Sequence, residues 1–289
     1  MLLSNRVAII TGSAKGMGKG IALKFAEEGC KVAIVDISLK DAKDTLAELL
    51  KIVDASTKGA KAAPAEVLKN GSNKAAKTGG GGMAIECDVT VEKQVHAAVD
   101  QVIQKWGKID ILINNAGGAG ASYPIEEMSE ETWDRVFALN LKSQFFFCKY
   151  VVPYLKAQKS GKIVNLSSIG AFQPPAHHIA YNSAKAAAIG FTNDLANALA
   201  PYNINVNALV PGPIRTSFYD GMIGQMTNDE KDAFFGRLGK KVPLQRAGTP
   251  EDIAGAALFL CSDLGAYVTG QAIYVTGGLP LLPPAQPTK

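Results

Sequence analysis

The sequence predicts an α/β protein, a single doubly wound parallel sheet with helices on both faces. Three observations carry that expectation. Short apolar runs recur along the chain and alternate with longer stretches of helical period. The first run, Val7-Ala-Ile-Ile-Thr11, passes at once into a glycine-rich turn, Gly12-Ser-Ala-Lys-Gly16-Met-Gly18-Lys-Gly20, and then into an amphipathic stretch with Ile21, Leu23, Phe25 and Ala26 as its apolar positions. The second run, Val32-Ala-Ile-Val35, ends in an acid, Asp36. Strand, glycine loop, helix, strand and acid in that order make a Rossmann-type dinucleotide-binding half.

Composition narrows the function classes. The 289 residues could form one large domain or two small ones, with ample apolar content for a core. A net charge of +4, spread along the chain rather than gathered in one block, argues against a nucleic-acid partner. Cys30, Cys87, Cys148 and Cys261 lie far apart without metal-ligand spacing, and three of them sit in apolar segments. They read as buried thiols of a reducing compartment, and no metal is expected. The apolar run at the N-terminus is too short for a signal peptide or a membrane span, so the expectation is a cytoplasmic protein with no membrane partner.

In the glycine loop, the glycines let the backbone approach a pyrophosphate, whose charge the following helix N-terminus favours. Asp36 stands eighteen residues after Gly18, near the spacing of a carboxylate that holds a ribose 2′-hydroxyl. The spacing Thr11-Gly12-x-x-x-Gly16-x-Gly18 is not Gly-x-Gly-x-x-Gly; it resembles the nucleotide loop of the classical short-chain dehydrogenase/reductase family. That resemblance continues along the chain. Asn114-Asn115-Ala116-Gly117 closes the strand Ile109 to Ile113, Ser168 stands thirteen residues before Tyr181, and Tyr181-Asn-Ser-Ala-Lys185 opens a helix. Pro211-Gly212-Pro213-Ile214-Arg215-Thr216 follows the strand Asn205 to Val210. The match runs from Val7 to Gly278, in one domain with seven strands.

The resemblance implies a site. The catalytic set is Asn140, Ser168, Tyr181 and Lys185. The cofactor side comprises Gly12, Ser13, Lys15, Gly16, Met17, Gly18, Asp36, Ile37, Asp88, Val89, Asn115, Ala116, Gly117, Pro211, Gly212, Ile214 and Thr216, together with Tyr181 and Lys185. In the family Asp88 meets the adenine; as a residue it serves equally as an N-cap for the helix beginning at Thr90-Val91. Asn140 lies in a stretch of helical period from Glu131 to Leu155, where a lone Asn usually faces solvent; the resemblance makes its backbone carbonyl the holder of a proton-relay water. NAD is favoured over NADP: Asp36 would repel a 2′-phosphate, whereas Lys15, the residue that would suit NADP, can swing into water.

The chemistry suits those residues. Tyr181 and Lys185 are one helical turn apart and share a face. Eight tyrosines and thirty Lys plus Arg give about one such pair by accident, so the pair gains meaning only from the residues around it. A free phenol held as phenolate at pH 7 costs about 4 kcal/mol, which a neighbouring ammonium and the positive nicotinamide reduce. Tyr181 is then the acid in reduction and the base in oxidation, Ser168 orients the substrate oxygen, and Lys185 also reaches the nicotinamide ribose. Ser167 is excluded from the chemistry by spacing.

Other segments carry weaker signals. Residues 54–82 look like an insertion relative to the family, a mobile or loosely helical arm, since they hold few large apolar residues and end in four glycines. Residues 217–248 are long for a connection and mix Phe218, Tyr219, Met222, Met226, Phe234 and Phe235 with charges; they are expected to form a substrate lid. His177 and His178 either line the pocket or lie exposed, and His96 is a surface residue. The expected function is an oxidoreductase acting on a secondary alcohol or ketone. Reduction of a 3-oxoacyl thioester on acyl carrier protein or CoA, and a non-catalytic NAD-binding regulatory role, are the alternatives. A homotetramer is expected by resemblance, with the helices after Glu131 and Tyr181 at its interfaces and the proline-rich tail from Leu279 on a neighbouring subunit.

Overall fold

The computed structural model describes residues 1–59, 80–174 and 177–279. Seven parallel strands form one sheet: β1 Val7–Thr11, β2 Lys31–Asp36, β3 Gly81–Glu86, β4 Ile111–Asn114, β5 Gly161–Leu166, β6 Ile204–Pro211 and β7 Ala272–Val275. Their order is β3-β2-β1-β4-β5-β6-β7. The chain winds outward from β1 in one direction, then returns and winds in the other from β4, so the sheet has its switch point between β1 and β4. Crevices of this kind open at the C-terminal ends of the strands.

The strands alternate side chains between two cores because successive residues face opposite sides of a sheet. Ala8, Ile10, Val32, Ile34, Ile111 and Ile113 pack on one side with Ile21 and Phe25 of α1 (Gly16–Glu27), Ala42 and Leu49 of α2 (Leu39–Gly59), and Ile253 and Ala257 of α9 (Pro250–Cys261). Val7, Ile9, Ala33, Val35 and Leu112 pack on the other with Val95, Val99 and Val102 of α3 (Glu92–Trp106), Phe147, Val151 and Leu155 of α5 (Ser143–Gln158) and Leu199 of α6 (Ile179–Leu199). Both faces being covered, the strands read as unbroken apolar runs. The four cysteines are free and buried in these layers, and burial pushes Cys87, Cys148 and Cys261 up to about 12.

Several boundaries differ from the sequence expectations. The second helix runs to Gly59 rather than stopping near Ile52, so the first residues assigned to the insertion are helical. At its other end, Gly81 and Gly82 belong to β3. Gly82 is glycine for a packing reason: a Cβ there would stand 2.4 Å from Leu46 Cδ1 and 3.2 Å from Leu49 Cδ2. The expected mobile arm otherwise falls on residues 60–79, outside the described residues, and the tail expected on a neighbour falls there from residue 280.

The stretch expected to be helical from Glu131 to Leu155 is one unbroken helical run in which α4 (Glu130–Phe137) passes through a π turn at Ala138–Lys142 into α5. Asp88 does not cap α3. Its carboxylate instead accepts from Thr90 N at 2.9 Å and Thr90 Oγ1 at 2.7 Å, and the helix starts after Val91. Residues 217–248 fold as a short turn at Ser217–Tyr219, then α7 (Asp220–Ile223) and α8 (Asn228–Gly239), the latter held by a capping box between Thr227 and Glu230.

At the opposite, N-terminal edge of the sheet a single carboxylate joins β1 to β4. Asp110 accepts from Val7 N at 2.8 Å and pairs with Lys108 at 2.8 Å and Arg6 at 3.6 Å, with a side chain that is 9% exposed. Asp110→Ala strands the buried Val7 N–H and removes a charge-assisted bond, so it is expected to cost about 2–3 kcal/mol. Urea unfolding should show this as a lowered midpoint with an unchanged slope.

Candidate active site

The glycine loop leaves β1 at the switch point. Gly12 has φ +60, and a Cβ there would stand 2.8 Å from Ala116 Cα; at Gly18 it would stand 2.4 Å from the Gly12 carbonyl oxygen. Both positions require glycine, the first for its backbone as well. Gly16 faces Thr216, whose Cβ would lie 3.4 Å from an added methyl, so the loop after β1 meets the loop after β6. Ser13 is buried and donates to Ile10 O at 2.6 Å, Met17 packs against the core beneath the loop, and Ala14 N donates to the Asp36 carboxylate at 3.0 Å. Asp36, at the end of β2, also accepts from Ser38 N at 3.1 Å, and Ile37 beside it is 68% exposed.

Lys15 departs from its expected behaviour. It does not swing free into water; its ammonium pairs with Asp41 at 2.9 Å in the first turn of α2. The bond raises the lysine and lowers the aspartate from their ordinary values. A depression of about 330 Å³ lies against this pair, lined by Ala14, Lys15, Gly16, Asp41, Thr45 and Ser217.

From β4, Asn115 Nδ2 donates to Thr11 O and Gly12 O, both at 2.9 Å, while Thr11 Oγ1 accepts from Asn115 N and Ala116 N, both at 3.0 Å. Gly117 lies close to both Asn140 and Lys185: a Cβ there would be 2.7 Å from Asn140 Oδ1 and 3.1 Å from Lys185 Nζ. Asn140 sits in the π turn and is fully buried, not on a solvated face. Its carboxamide clamps the loop after β4, accepting from Gly118 N at 3.1 Å and donating to Gly118 O at 2.9 Å. Val89 is buried after β3, next to Asp88. Pro211 ends β6, and Gly212 passes so close to Thr276 that a Cβ would stand 2.9 Å from its Cα. Ile214 is buried and bridges to Gly248.

The expected catalytic residues converge over the C-terminal ends of β4 to β6. Ser168, just past β5, accepts from Gly170 N at 3.1 Å and neighbours the Tyr181 phenol, partly offsetting the burial that pushes the phenol up to about 12. Lys185 is buried, donates to Leu166 O at 2.8 Å, and is lowered to about 8 by burial. Its Nζ lies 5.7 Å from the Tyr181 ring centroid. Ser167 faces away, donating to Lys185 O at 2.7 Å. The structure therefore brings together Asn140, Ser168, Tyr181 and Lys185. Desolvation dominates the phenol here, and the Lys185 ammonium is engaged by a carbonyl.

Around that centre, Tyr123 N donates to His177 O at 3.0 Å, closing the loop after β4 onto the one before α6. His177 is exposed, with φ +66, and His178 is partly buried with an unpartnered Nδ1. His96 stacks on Tyr150 at 4.3 Å and lies far along α3 from Tyr181 in sequence. Among the described residues no His, Cys, Asp and Glu group has a metal-holding arrangement, and no helix is long and apolar enough to cross a membrane. Two contacts escaped the sequence reading: that of Asp41, which no motif marks, and that of the Thr11 hydroxyl, which joins the two central loops although Thr11 itself was part of the motif. A threonine ending a buried run just before a glycine loop was the available signal for the second.

The donor set fits a dinucleotide: a glycine cradle that a Cβ would fill, a carboxylate at the end of β2, and an exposed apolar residue beside it. A family profile described as short chain dehydrogenase matches residues 6–70, and one described as Enoyl-(Acyl carrier protein) reductase matches residues 54–280. The chain is 37% identical over 279 residues to a 3-oxoacyl-(acyl-carrier-protein) reductase FabG of Thermotoga maritima, covering 96% of this chain and 99% of that protein. It is 36% identical over 283 residues to a cyclohexanol dehydrogenase of Rhodococcus sp., covering 96% and 97%. A solved structure of 7 alpha-hydroxysteroid dehydrogenase complexed with NADH and 7-oxo glycochenodeoxycholic acid superposes with a TM-score of 0.78 at 33% identity, covering 96% and 94%. Fold, loop chemistry and full-length similarity agree: the chain belongs to the short-chain dehydrogenase/reductase family of oxidoreductases that bind nicotinamide cofactors.

Proposed function

We propose that the protein is an NAD-dependent dehydrogenase that interconverts a secondary alcohol and its ketone, with Asn140, Ser168, Tyr181 and Lys185 as its catalytic set. The observation that carries the reading is the Tyr181 ring 5.7 Å from the Nζ of a buried Lys185, with Ser168 beside the phenol, at the C-terminal edge of the sheet. A bound nicotinamide supplies or accepts the hydride. Tyr181 gives its proton to the substrate oxygen in reduction; a phenol near 12 is protonated throughout the neutral range and so stands ready as the acid. Ser168 orients that oxygen by a second hydrogen bond. Lys185 would leave Leu166 O to hold the nicotinamide ribose, and Gln144 Nε2, at 3.3 Å, keeps that carbonyl partnered. Asn140, in a π turn that takes main-chain carbonyls out of the ordinary ladder, would support a water on the proton path.

Gly12 to Gly18 would cradle the pyrophosphate, Asp36 the adenosine ribose, and Ile37, Asp88 and Val89 the adenine. Asn115, Ala116, Gly117, Pro211, Gly212, Ile214 and Thr216 would line the nicotinamide half. Two observations favour NAD. Asp36, at the end of β2, presents a carboxylate that would repel a 2′-phosphate, and Lys15, the cation such a phosphate would favour, pairs with Asp41. The protein is read as a cytoplasmic homotetramer with the 217–248 segment as its lid, an assembly resting on family analogy.

A 3-oxoacyl-thioester substrate is the second reading, favoured by the FabG relative and by Arg237, Lys240 and Lys241, which are exposed at the end of α8 and suit a phosphorylated carrier. Turnover of acetoacetyl-CoA against simple ketones, each with NADH and NADPH, separates the two. Binding of NADH without turnover across a broad panel would favour a regulatory role instead.

Tyr181→Phe is expected to lower kcat at least about a hundredfold while NADH affinity, read by fluorescence titration, stays within about threefold. Retained activity would remove Tyr181 from the chemistry. Asp36→Ala is expected to raise the NADPH to NADH ratio of kcat/KM by about tenfold or more; an unmoved ratio counts against the cofactor reading. Lys185 gives a pH signature in the cofactor-free protein. Its value is about 8 folded against 10.5 unfolded, so between those values the unfolded chain holds a proton that the folded one has released. Its contribution to stability therefore rises with pH across that window and is least favourable below it. Lys185→Met should raise Tm at pH 7, and the gain over wild type should shrink as pH approaches 10; a gain independent of pH would contradict this.

A further inference from the structure

Resting on the dehydrogenase reading above, we propose that the substrate is an uncharged ring-bearing ketone or alcohol, alicyclic or aromatic, and that Phe218 is the residue that selects it. Phe218 is 46% exposed, a large apolar ring left open beside the proton donor. Its centroid lies 5.9 Å from that of Tyr181, with the two planes tilted by 46°, so the rings form two walls at the catalytic hydroxyl's own residue.

Phe218 is also held still. Tyr219 meets it edge-on at 5.3 Å, and Tyr219 in turn packs edge-on against Phe234 and Phe235, each at 5.6 Å. Phe235 is buried and anchors the group. The turn that carries Phe218 is capped by Thr216, at the exit of β6, so the ring is referenced to the sheet rather than to the mobile end of a loop. A fixed, exposed ring rewards a preformed ring: an aromatic partner stacks on it, and an alicyclic one lays a rigid face against it, whereas a linear chain must order its rotors to make the same contact. Charge in this cluster is already satisfied. Among the described residues the cation lying over this group, Arg215 at 5.2 Å from Phe235, is paired with Asp232 and so is not free for a carboxylate or phosphate.

The test compares kcat/KM with NADH for cyclohexanone and acetophenone against 3-hexanone, which has as many carbons as cyclohexanone, and acetoacetyl-CoA. Wild type should favour the ring ketones over 3-hexanone by about tenfold. Phe218→Ala should lower the ring ketones about tenfold and 3-hexanone less than about threefold, erasing the preference. Phe218→Tyr should keep the preference and Phe218→Leu should not, because bulk alone does not supply a stacking face. NADH affinity and Tm should be unchanged in all three. A wild type that prefers 3-hexanone, a uniform loss on all substrates in Phe218→Ala, or full rescue by Leu would overturn the inference while leaving the dehydrogenase reading intact; a wild type that prefers acetoacetyl-CoA would overturn both in favour of the thioester reading. Protein that binds NADH and turns over none of the four would overturn both.

Discussion

The structure depends on the way β1 and β4 are tied where the winding of the sheet reverses. A switch point splays two loops apart, and splayed loops carry main-chain groups without partners. Here the Thr11 hydroxyl accepts two amides from the loop after β4, and the Asn115 carboxamide donates back to two carbonyls of the loop after β1. The crevice is thereby lined by glycines at fixed positions, and Gly117 is set against Asn140 and Lys185. One end of the tie shapes the nucleotide cradle; the other reaches the proton chemistry. The clamp by Asp110 at the opposite edge fixes the same strand pair from below.

Much of this was legible because buried parallel strands cannot hide. They must be apolar on both faces, and five or six such residues in a row have few other readings. The glycine loop was legible because close approach restricts which residues can serve, and Tyr181 with Lys185 because they share a helical face; Ser168 and Asn140 were legible only through the resemblance to the family. What escaped were features set by tertiary contact. Gly81 and Gly82 look like a flexible end, yet Gly82 is a strand residue whose missing side chain makes room for Leu46 and Leu49. Asp41 has no motif, and its importance arises only when α2 brings it to Lys15.

The electrostatics were the least legible part. Sequence places an ammonium one turn from a phenol and suggests mutual assistance. Burial instead moves the two groups in opposite directions, the phenol to about 12 and the ammonium to about 8. Each shift favours the neutral form, as desolvation requires.

The π turn at Ala138–Lys142 has a consequence beyond Asn140. An α-helix advances about 100° per residue, so one additional residue in a turn rotates everything after it by that angle. Phe147, Val151 and Leu155 of α5 reach the sheet only in the phase that this extra residue sets. The register of a core layer and the placement of a buried carboxamide are thus encoded in the same helical irregularity. The helix cannot be regularised at the site without turning its apolar stripe away from the strands it covers.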